Sequence, residues 1–290
     1  MLSISGHTRP YAVLGHPIGH TLSPVMHNAA LAALGLDAIY LAFDVAPENL
    51  LRVLPAMAEM GFGGVNLTVP LKEVAFRGLP ALDESARRLG AVNTVEFTAA
   101  GLKGHNTDGD GFLRAVDEAF QFRVRGRSVF VLGCGGAGRA VAITCAAKGA
   151  ARLVLADVDS GRCRNVAAEI AALAPQADVR VADPRPETWP VAAREADLVV
   201  QATPIGMQAG ADAPLPPAAF RAGQSAFDLV YTFPETVFMR AARAGGAQAA
   251  NGLGMLLHQG ARALTLWTGR EAPVEVMRAA LAKAVYGVQG

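Results

Sequence analysis

The spacing of apolar residues in the first part of the chain predicts alternating strands and helices. Apolar positions at helical spacing predict helices that begin at Ser23 and at Leu50. Ser23 is expected to cap the first helix with Pro24 at its first position, and Pro55 to kink or interrupt the second. Residues 106–108 are expected to form a loop after a hairpin. Short apolar or alternating runs predict strands at residues 11–14, 40–45, 64–69, 91–97 and 102–105.

The second part of the chain begins after a boundary near residues 124–126 and has a more regular rhythm. Helical spacing over residues 139–148, and again over 252–267 and 274–286, predicts helices. Short apolar runs predict strands at residues 128–132, 153–155, 179–181, 197–201, 225–229 and 247–250. This alternation of strands and helices predicts a mostly parallel, doubly wound sheet.

The strand predicted over residues 64–69 carries polar side chains between apolar ones. Its apolar residues are expected to face the core, while Asn66 and Thr68 share the other face. Lys72 follows just beyond the strand. A polar edge strand beside a surface lysine and a ligand-binding face both fit this pattern.

A glycine-rich segment links the strand at residues 128–132 to the following helix. Its sequence, GCGGAG at residues 133–138, would let a phosphate approach the free N–H groups at the start of a helix. Asp157 follows 24 residues after Gly133, near the end of the next strand. The pattern predicts dinucleotide binding, although a tight turn between strand and helix is the simpler alternative.

Composition narrows the class of protein. The 290 residues are 52% hydrophobic and 18% charged, with a formal net charge of +1. These values exclude intrinsic disorder and disfavour a nucleic-acid binder, which needs a basic surface. No apolar run reaches the roughly 18 residues of a membrane helix. We therefore expect a soluble, cytoplasmic protein that binds neither nucleic acid nor membrane.

Cysteine and histidine positions give no sign of a metal site or a disulfide framework. The three cysteines, Cys134, Cys145 and Cys163, include no CxxC motif and have no histidine at ligand spacing. Cys134 is interpreted as a small residue that the glycine-rich loop tolerates. Three histidines near the first helix are expected to be solvated or to cap it; they are His16, His20 and His27.

Eight segments, taken in order, resemble the shikimate dehydrogenase family over nearly the whole chain. They are GHPIGHTLSPVMHN (residues 15–28), VNLTVPLK (65–72), GAVNT (90–94), GHNTDGDGF (104–112), GCGGAGRA (133–140), ATPIGM (202–207), DLVY (228–231) and the residues Asn251, Gly252, Met255, Leu256 and Gln259.

The resemblance implies a fold with two functional domains. Residues 1–112 would form an α/β domain that binds substrate and carries the catalytic residues. Residues 113–251 would form a Rossmann-type dinucleotide-binding domain, and the C-terminal helices, residues 252–290, would return to pack on the substrate domain. The active site would lie in the cleft between the domains.

The resemblance also assigns residues by their positions in these segments. Lys72 and Asp108 match the catalytic pair. The predicted substrate-binding residues are Thr21, Ser23, Asn66, Thr68, Asn93, Tyr231 and Gln259. The predicted cofactor-binding residues are Gly133, Gly135, Gly136, Ala137, Thr203, Met207, Leu229 and Gly252. Thr21 stands where the family usually has serine, which adds a methyl group beside the substrate carboxylate.

The chemistry of the predicted pair agrees with a dehydrogenase. Reduction of a ring ketone leaves an alkoxide that needs a proton, and the ammonium of Lys72 can stabilise that oxygen and donate the proton. Asp108 would orient the lysine and balance its charge. Hydroxyl and amide side chains suit a polyhydroxylated ring, since such a site rejects analogues that lack the hydroxyls.

The adenosine end of the predicted cofactor site departs from the family. The family commonly has an Asn-Arg-Thr-x-x-Arg pattern after the second cofactor strand, and Val158 occupies the position of its first arginine. Asp157 is expected to accept hydrogen bonds from the ribose and to repel a 2′-phosphate. Alternatively, Asp157 only caps the helix at Ser160. We predict NAD as the preferred cofactor, with NADP as a second one, because Arg162 is also assigned to cofactor binding and can reach a phosphate.

Two other functions remain open from the sequence. One is an NAD-dependent quinate dehydrogenase, or one that uses both quinate and shikimate. The other is a non-catalytic dinucleotide-sensing module, which would not need both Lys72 and Asp108. The expected oligomeric state is a monomer or a homodimer.

Overall fold

The computed structural model describes residues 4–287, which divide into two units. Among these residues, the first unit comprises 4–111 and 256–287, and the second is Phe112–Met255. The C-terminal segment therefore belongs to the same unit as the N-terminal segment.

A six-stranded mixed sheet organises the first unit. Its strands are β1 (Arg9–Gly15), β2 (Ala38–Asp44), β3 (Gly64–Leu67), β4 (Ala81–Leu82), β5 (Thr94–Thr98) and β6 (Gly101–His105). The strand order is β2-β1-β3-β5-β6-β4, and only β5 runs antiparallel to its neighbours. Strands β1, β3 and β6 therefore point the same way, and their carboxyl ends share one edge of the sheet.

Helices connect and cover these strands. They are α1 (Ser23–Ala33), α2 (Leu50–Glu59), α3 (Leu71–Gly78), α4 (Glu84–Leu89) and, near the C-terminus, α11 (Val274–Tyr286). Two further helices, α5 (Asp108–Phe120) and α10 (Leu253–Thr268), each contain a boundary between the units. This unit has a buried apolar core that includes Leu14, Val65 and Val95.

The second unit is a doubly wound parallel sheet. Its strands are β7 (Ser128–Leu132), β8 (Arg152–Ala156), β9 (Asp178–Val181), β10 (Leu198–Gln201), β11 (Ser225–Asp228) and β12 (Gln248–Asn251). Its helices are α6 (Gly136–Ala147), α7 (Ser160–Leu173), α8 (Trp189–Glu195) and α9 (Val237–Ala244). The order β12-β11-β10-β7-β8-β9 reverses direction between β7 and β10, where ligands bind in such sheets. The predicted α/β class with a Rossmann-type unit is confirmed.

Several local predictions need correction. Ser23 does not cap α1, because Leu22 already has helical dihedral angles and Ser23 lies inside the first turn. Pro55 does not interrupt α2, which runs through it. The strand predicted over residues 64–69 ends at Leu67, where the chain turns towards α3. Asp108 is the first residue of α5 and does not lie in a loop.

His27 is neither solvated nor a cap. Its side chain is fully buried, and within residues 4–287 neither ring nitrogen has a hydrogen-bond partner. The ring stacks on Tyr40 with centroids 4.1 Å apart. Burial lowers the pKa of His27 to about 3, so the neutral imidazole acts as an apolar packing group.

Candidate active site

A lysine–aspartate ion pair lies at the shared edge of the first sheet. The Lys72 Nζ atom is 2.7 Å from Asp108 Oδ2. Lys72 is the second residue of α3, and its carbonyl accepts a hydrogen bond from Val92 N–H at 3.0 Å. Asp108 begins α5, where the helix dipole favours a negative charge. The side chains remain 28% and 14% exposed, so both can reach a bound molecule.

Asn93 holds the aspartate of this pair in place. Its Nδ2 donates to Asp108 Oδ1 at 2.8 Å and to Thr107 Oγ1 at 2.9 Å, and its Oδ1 accepts from Thr107 N–H at 2.8 Å. The Asp108 N–H also donates to Asn106 Oδ1 at 2.9 Å. The two oxygens of Asp108 therefore have different donors, Lys72 on one and Asn93 on the other. This arrangement fixes the rotation of the carboxylate.

Asn66 lies inside the sheet, contrary to the prediction that it shares an accessible polar face with Thr68. Its Oδ1 accepts from the Tyr40 hydroxyl at 2.6 Å, and its Nδ2 donates to Asn93 O at 3.1 Å and to Thr94 Oγ1 at 3.0 Å. Only 6% of Asn66 is exposed. Every residue of β3 is buried, so both faces of the strand are covered. Asn66 thus supports the backbone that carries Asn93, and its contact with substrate stays a prediction.

Thr21, Ser23 and Thr68 follow the carboxyl ends of β1 and β3, at the edge where Asp108 follows β6. Thr21 Oγ1 accepts from Ser23 N–H at 3.3 Å. Gly15 lets Thr68 pack closely, since a Cβ there would lie 2.6 Å from the Thr68 Cγ2 atom. The topology therefore gathers hydroxyl side chains at the edge that carries the ion pair.

Gln259 brings the C-terminal segment to the same group of side chains. Its Oε1 accepts a hydrogen bond from Asn93 Nδ2 at 3.5 Å, and its Nε2 donates to Leu256 O at 2.8 Å. Tyr231, the remaining predicted substrate residue, belongs to the second unit and is half-buried. Burial raises the pKa of Tyr231, which keeps its hydroxyl protonated.

The glycine-rich loop of the second unit has the geometry that a phosphate site needs. Gly133 has φ of +96°, and a Cβ at Gly138 would lie 1.8 Å from the Gly133 carbonyl oxygen. A Cβ at Gly135 or Gly136 would meet nothing within 4 Å. The first N–H groups of α6, which include that of Ala137, have no acceptor within the helix. The residues present therefore fit a dinucleotide pyrophosphate.

Asp157 is engaged by the backbone at the end of β8. Its Oδ2 accepts from Cys134 N–H at 2.8 Å and its Oδ1 from Asp159 N–H at 2.9 Å. The alternative that Asp157 caps the next helix is wrong, because Asp159 accepts from Gly161 N–H there. Asp157 is 8% exposed, so a ribose contact would have to use its remaining lone pairs.

The arginines beside Asp157 are exposed and have partners close in sequence. Val158 is 73% exposed and offers no charge. Arg162 pairs with Asp159 at 3.3 Å, and Arg164 donates to Ser160 Oγ at 3.0 Å. Both guanidinium groups lie on the first turns of α7, so they are the candidates for a contact with a 2′-phosphate.

A buried polar network that the sequence did not reveal holds the loops after β10 and β11. Gln201 Nε2 donates to Asp228 Oδ1 at 3.3 Å and to Thr203 O at 3.1 Å. Asp228 Oδ2 accepts from the Thr236 hydroxyl at 2.6 Å. Burial raises the pKa of Asp228 to about 6, although hydrogen bonds to the carboxylate oppose that rise. The only sign of this network in the sequence is that Gln201 and Asp228 lie at or near the ends of predicted strands.

The network positions residues assigned to cofactor binding. Leu229 N–H donates to Gln201 O at 2.8 Å, and a Cβ at Gly252 would lie 2.2 Å from Leu229 O. Thr203 N–H donates to the Gln201 side chain. Met207 is 52% exposed on the same loop as Thr203. Glycine is thus required at position 252. Hydrogen bonds to Gln201 hold the backbone of Leu229 and of Thr203 in place.

From the sequence we expect neither a membrane-spanning helix nor a metal site, and residues 4–287 can be compared with both expectations. No helix in that part of the chain combines the length and apolar character needed to cross a bilayer. The same residues include no group of three or more histidine, cysteine, aspartate or glutamate side chains that could hold a metal ion.

A parallel sheet with a glycine-rich loop at its switch point, in one chain with an oriented lysine–aspartate pair, defines a dinucleotide-dependent dehydrogenase. Two family models match the chain: the shikimate dehydrogenase substrate binding domain over residues 13–95 and the shikimate 5'-dehydrogenase C-terminal domain over residues 252–282. The shikimate dehydrogenase (NADP(+)) of Moorella thermoacetica is 46% identical, over 100% of this chain and 98% of its own length. The chain belongs to the shikimate dehydrogenase family.

Solved structures agree with this assignment. The shikimate 5-dehydrogenase of Listeria monocytogenes, in complex with shikimate and NAD, has a TM-score of 0.89 and 33% identity, and the match covers 95% of this chain and 96% of that one. The quinate dehydrogenase of Corynebacterium glutamicum, in complex with NAD, has a TM-score of 0.87 and 32% identity over 95% of this chain and 99% of that one. The recognition of the family from its ordered motifs is confirmed.

Proposed function

We propose that this protein is a shikimate dehydrogenase, which interconverts 3-dehydroshikimate and shikimate with a nicotinamide cofactor. The observation that carries the proposal is the Lys72–Asp108 pair, oriented by Asn93 in a chain 46% identical to a shikimate dehydrogenase. The first unit would bind the substrate, and the second would bind the cofactor.

The first unit supplies the acid and base. When bound, the nicotinamide supplies the hydride for ketone reduction and accepts it in the reverse direction. Lys72 donates a proton from Nζ to the carbonyl oxygen as negative charge develops there, and its neutral amine takes the proton back during alcohol oxidation. Asp108 holds Nζ at 2.7 Å and balances its charge. Lys72 is therefore the general acid and base, and Asp108 orients it.

The hydroxyl side chains at the same edge would select the ring. Thr21, Ser23 and Thr68 would bind the carboxylate and hydroxyls, with Gln259 as a further amide donor and acceptor. A buried hydroxyl that loses its partner costs about 1–3 kcal/mol, so such a site discriminates against rings that lack the matching group.

NADP is supported as a cofactor by the names of the relatives. The Moorella thermoacetica enzyme and further relatives that are 37–42% identical are all named for NADP(+). The preference for NAD stays a prediction that these names do not support. It rests on Val158 at the arginine position and on the carboxylate of Asp157. Arg162 and Arg164 are the groups that would accommodate a 2′-phosphate instead.

Steady-state assays with shikimate and quinate, each with NADP and with NAD, test this function. Turnover of shikimate is expected with at least one cofactor. Turnover of quinate alone would favour the alternative, a quinate dehydrogenase. The similar solved structure of an NAD-bound quinate dehydrogenase is the reason to test quinate. Dinucleotide binding without turnover of either ring would support the sensing module.

A further inference from the structure

A cysteine of the glycine-rich loop lies beside a second cysteine that is distant in sequence. The Sγ atoms of Cys134 and Cys163 are 3.4 Å apart. Cys134 lies in the loop between β7 and α6, and Cys163 lies in the first turn of α7. Both side chains are buried, with 4% and 0% exposure. The third cysteine, Cys145, is also buried, but it lies further along α6.

We propose that Cys134 and Cys163 form a reversible disulfide that weakens dinucleotide binding by displacing the glycine-rich loop. The disulfide itself follows from the geometry of the pair. Its effect on the cofactor rests on the proposed function, because that function places a dinucleotide on this loop.

The surroundings of Cys163 favour its thiolate, which is the reactive form. A hydrogen bond from Cys134 stabilises that thiolate and lowers the pKa of Cys163, against the burial that raises it. The start of α7 and the guanidinium of Arg164 also favour negative charge there, while the carboxylates of Asp157 and Asp159 oppose it. The same hydrogen bond raises the pKa of Cys134, with burial as a second cause. Cys163 is therefore the attacking thiol and Cys134 the resolving one.

Hydrogen peroxide is the class of oxidant that completes the reaction. The Cys163 thiolate attacks a peroxide oxygen, so that an S–O bond forms, the O–O bond breaks, and the departing hydroxide takes up a proton to become water. Cys134 sulfur then attacks the Cys163 sulfenic acid, so that the S–S bond forms, the S–O bond breaks, and the departing hydroxide takes the Cys134 proton. Two thiols lose two electrons, and one peroxide becomes two waters.

Closure of the disulfide must move the loop. The sulfur atoms have to approach from 3.4 Å to about 2.05 Å. Cys134 N–H is bonded to Asp157, and Gly133 is packed so tightly that a Cβ there would lie 2.8 Å from the Thr203 Cγ2 atom. Movement of Cys134 therefore passes to the neighbouring backbone N–H groups of Gly135 and Gly136, which are assigned to the pyrophosphate.

Oxidation of the cysteine pair and binding of the cofactor are expected to be coupled, and each must affect the other equally. We expect oxidation to raise the Kd for NADP by roughly tenfold, within the ~5–150-fold range of allosteric couplings. Bound NADP must then oppose disulfide formation by the same factor, since coupling between two equilibria is reciprocal.

Peptide mapping of the purified full-length protein tests the disulfide without reference to function. Trypsin cleaves after Arg139, Lys148 and Arg162, so the three cysteines fall on three different peptides. After peroxide treatment, the peptide with Cys134 is expected to be linked to the one with Cys163, and a dithiol should separate them. Absence of this link, or a link to Cys145, would overturn the proposal.

Titration of NADP into the reduced and oxidised protein tests the effect on binding. Cys163→Ala should bind NADP equally before and after peroxide, and Cys145→Ala should behave as wild type. A linked protein with an unchanged Kd would overturn the role in binding. If reduced protein binds neither NADP nor NAD, the proposed function fails, while the peptide map still decides whether the disulfide forms.

Discussion

Replacement of Asn93 by alanine should separate the positioning of Asp108 from the stability of the sheet edge. Asn93 donates to Asp108 Oδ1 at 2.8 Å and accepts from Thr107 N–H at 2.8 Å. The variant leaves Thr107 N–H buried without its acceptor, and Asp108 loses the donor that fixes its rotation. Two such losses, at about 1–3 kcal/mol each, predict a free energy of unfolding lower by roughly 2–6 kcal/mol.

The same variant should slow catalysis, because Asp108 would no longer hold Lys72 in one orientation. A displacement of a catalytic group by about 1 Å can cost up to ~10²-fold in rate, so kcat should fall by roughly 10–10²-fold. Urea unfolding measures the stability, and the steady-state kinetics of shikimate oxidation give kcat and KM.

Thr94→Val is the matched control for this experiment. Thr94 is fully buried and donates to Asn93 Oδ1 at 3.0 Å, but its loss leaves the bond from Asn93 to Asp108 intact. The control should lose about 1–3 kcal/mol of stability and keep kcat within about threefold of wild type. If Asn93→Ala also keeps its kcat, or if both variants lose kcat equally, Asn93 does not position the catalytic pair.

Three further predictions concern the substrate, acid stability and the cofactor. Thr68→Val should raise the KM for shikimate by leaving a ring hydroxyl unpaired, at about 1–3 kcal/mol, and unchanged KM and kcat would remove Thr68 from the site. The pKa of His27 is lowered to about 3, so its neutral form stabilises the fold above its unfolded pKa, and this stability is lost as pH falls. Between about pH 7.5 and about pH 5, wild type should lose roughly 2 kcal/mol relative to His27→Leu in urea unfolding, whereas parallel curves would contradict the neutral state of His27. At saturating shikimate, kcat/KM should favour NAD over NADP by about tenfold, or 1.4 kcal/mol, and equal values or a preference for NADP would overturn the role of Asp157.

Sequence patterns predicted the second unit more completely than the first. Buried parallel strands such as β7 and β10 form apolar runs, and the glycine-rich loop after β7 marks where the strand order reverses. In the first unit, alternation placed Asn66 on an accessible face, because an alternating pattern ordinarily has one wet side. In the structure both faces of β3 are buried, and the packing that covers the second face cannot be seen in a local pattern.

The candidate site depended on information that is not local. Lys72 and Asp108 are separated by 36 residues, and spacing alone gave no reason to pair them. Family resemblance supplied the pair, and the parallel directions of β3 and β6 explain why both side chains reach one edge. The hydrogen bond from Asn93 to Asp108 could be seen only in the structure, since asparagine before a strand is also an ordinary turn residue.

The proposed role of Lys72 is to move the proton during ring ketone reduction and alcohol oxidation. It is tested most directly by kcat for shikimate in Lys72→Ala, with Lys283→Ala, an exposed lysine on α11, as the control. The Lys72 variant should lose roughly 10²–10⁴-fold in kcat, the usual contribution of general acid–base catalysis, while its Kd for shikimate changes far less. The Lys283 variant should match wild type. A Lys72→Ala enzyme whose kcat stays within a few-fold of wild type would contradict the claim.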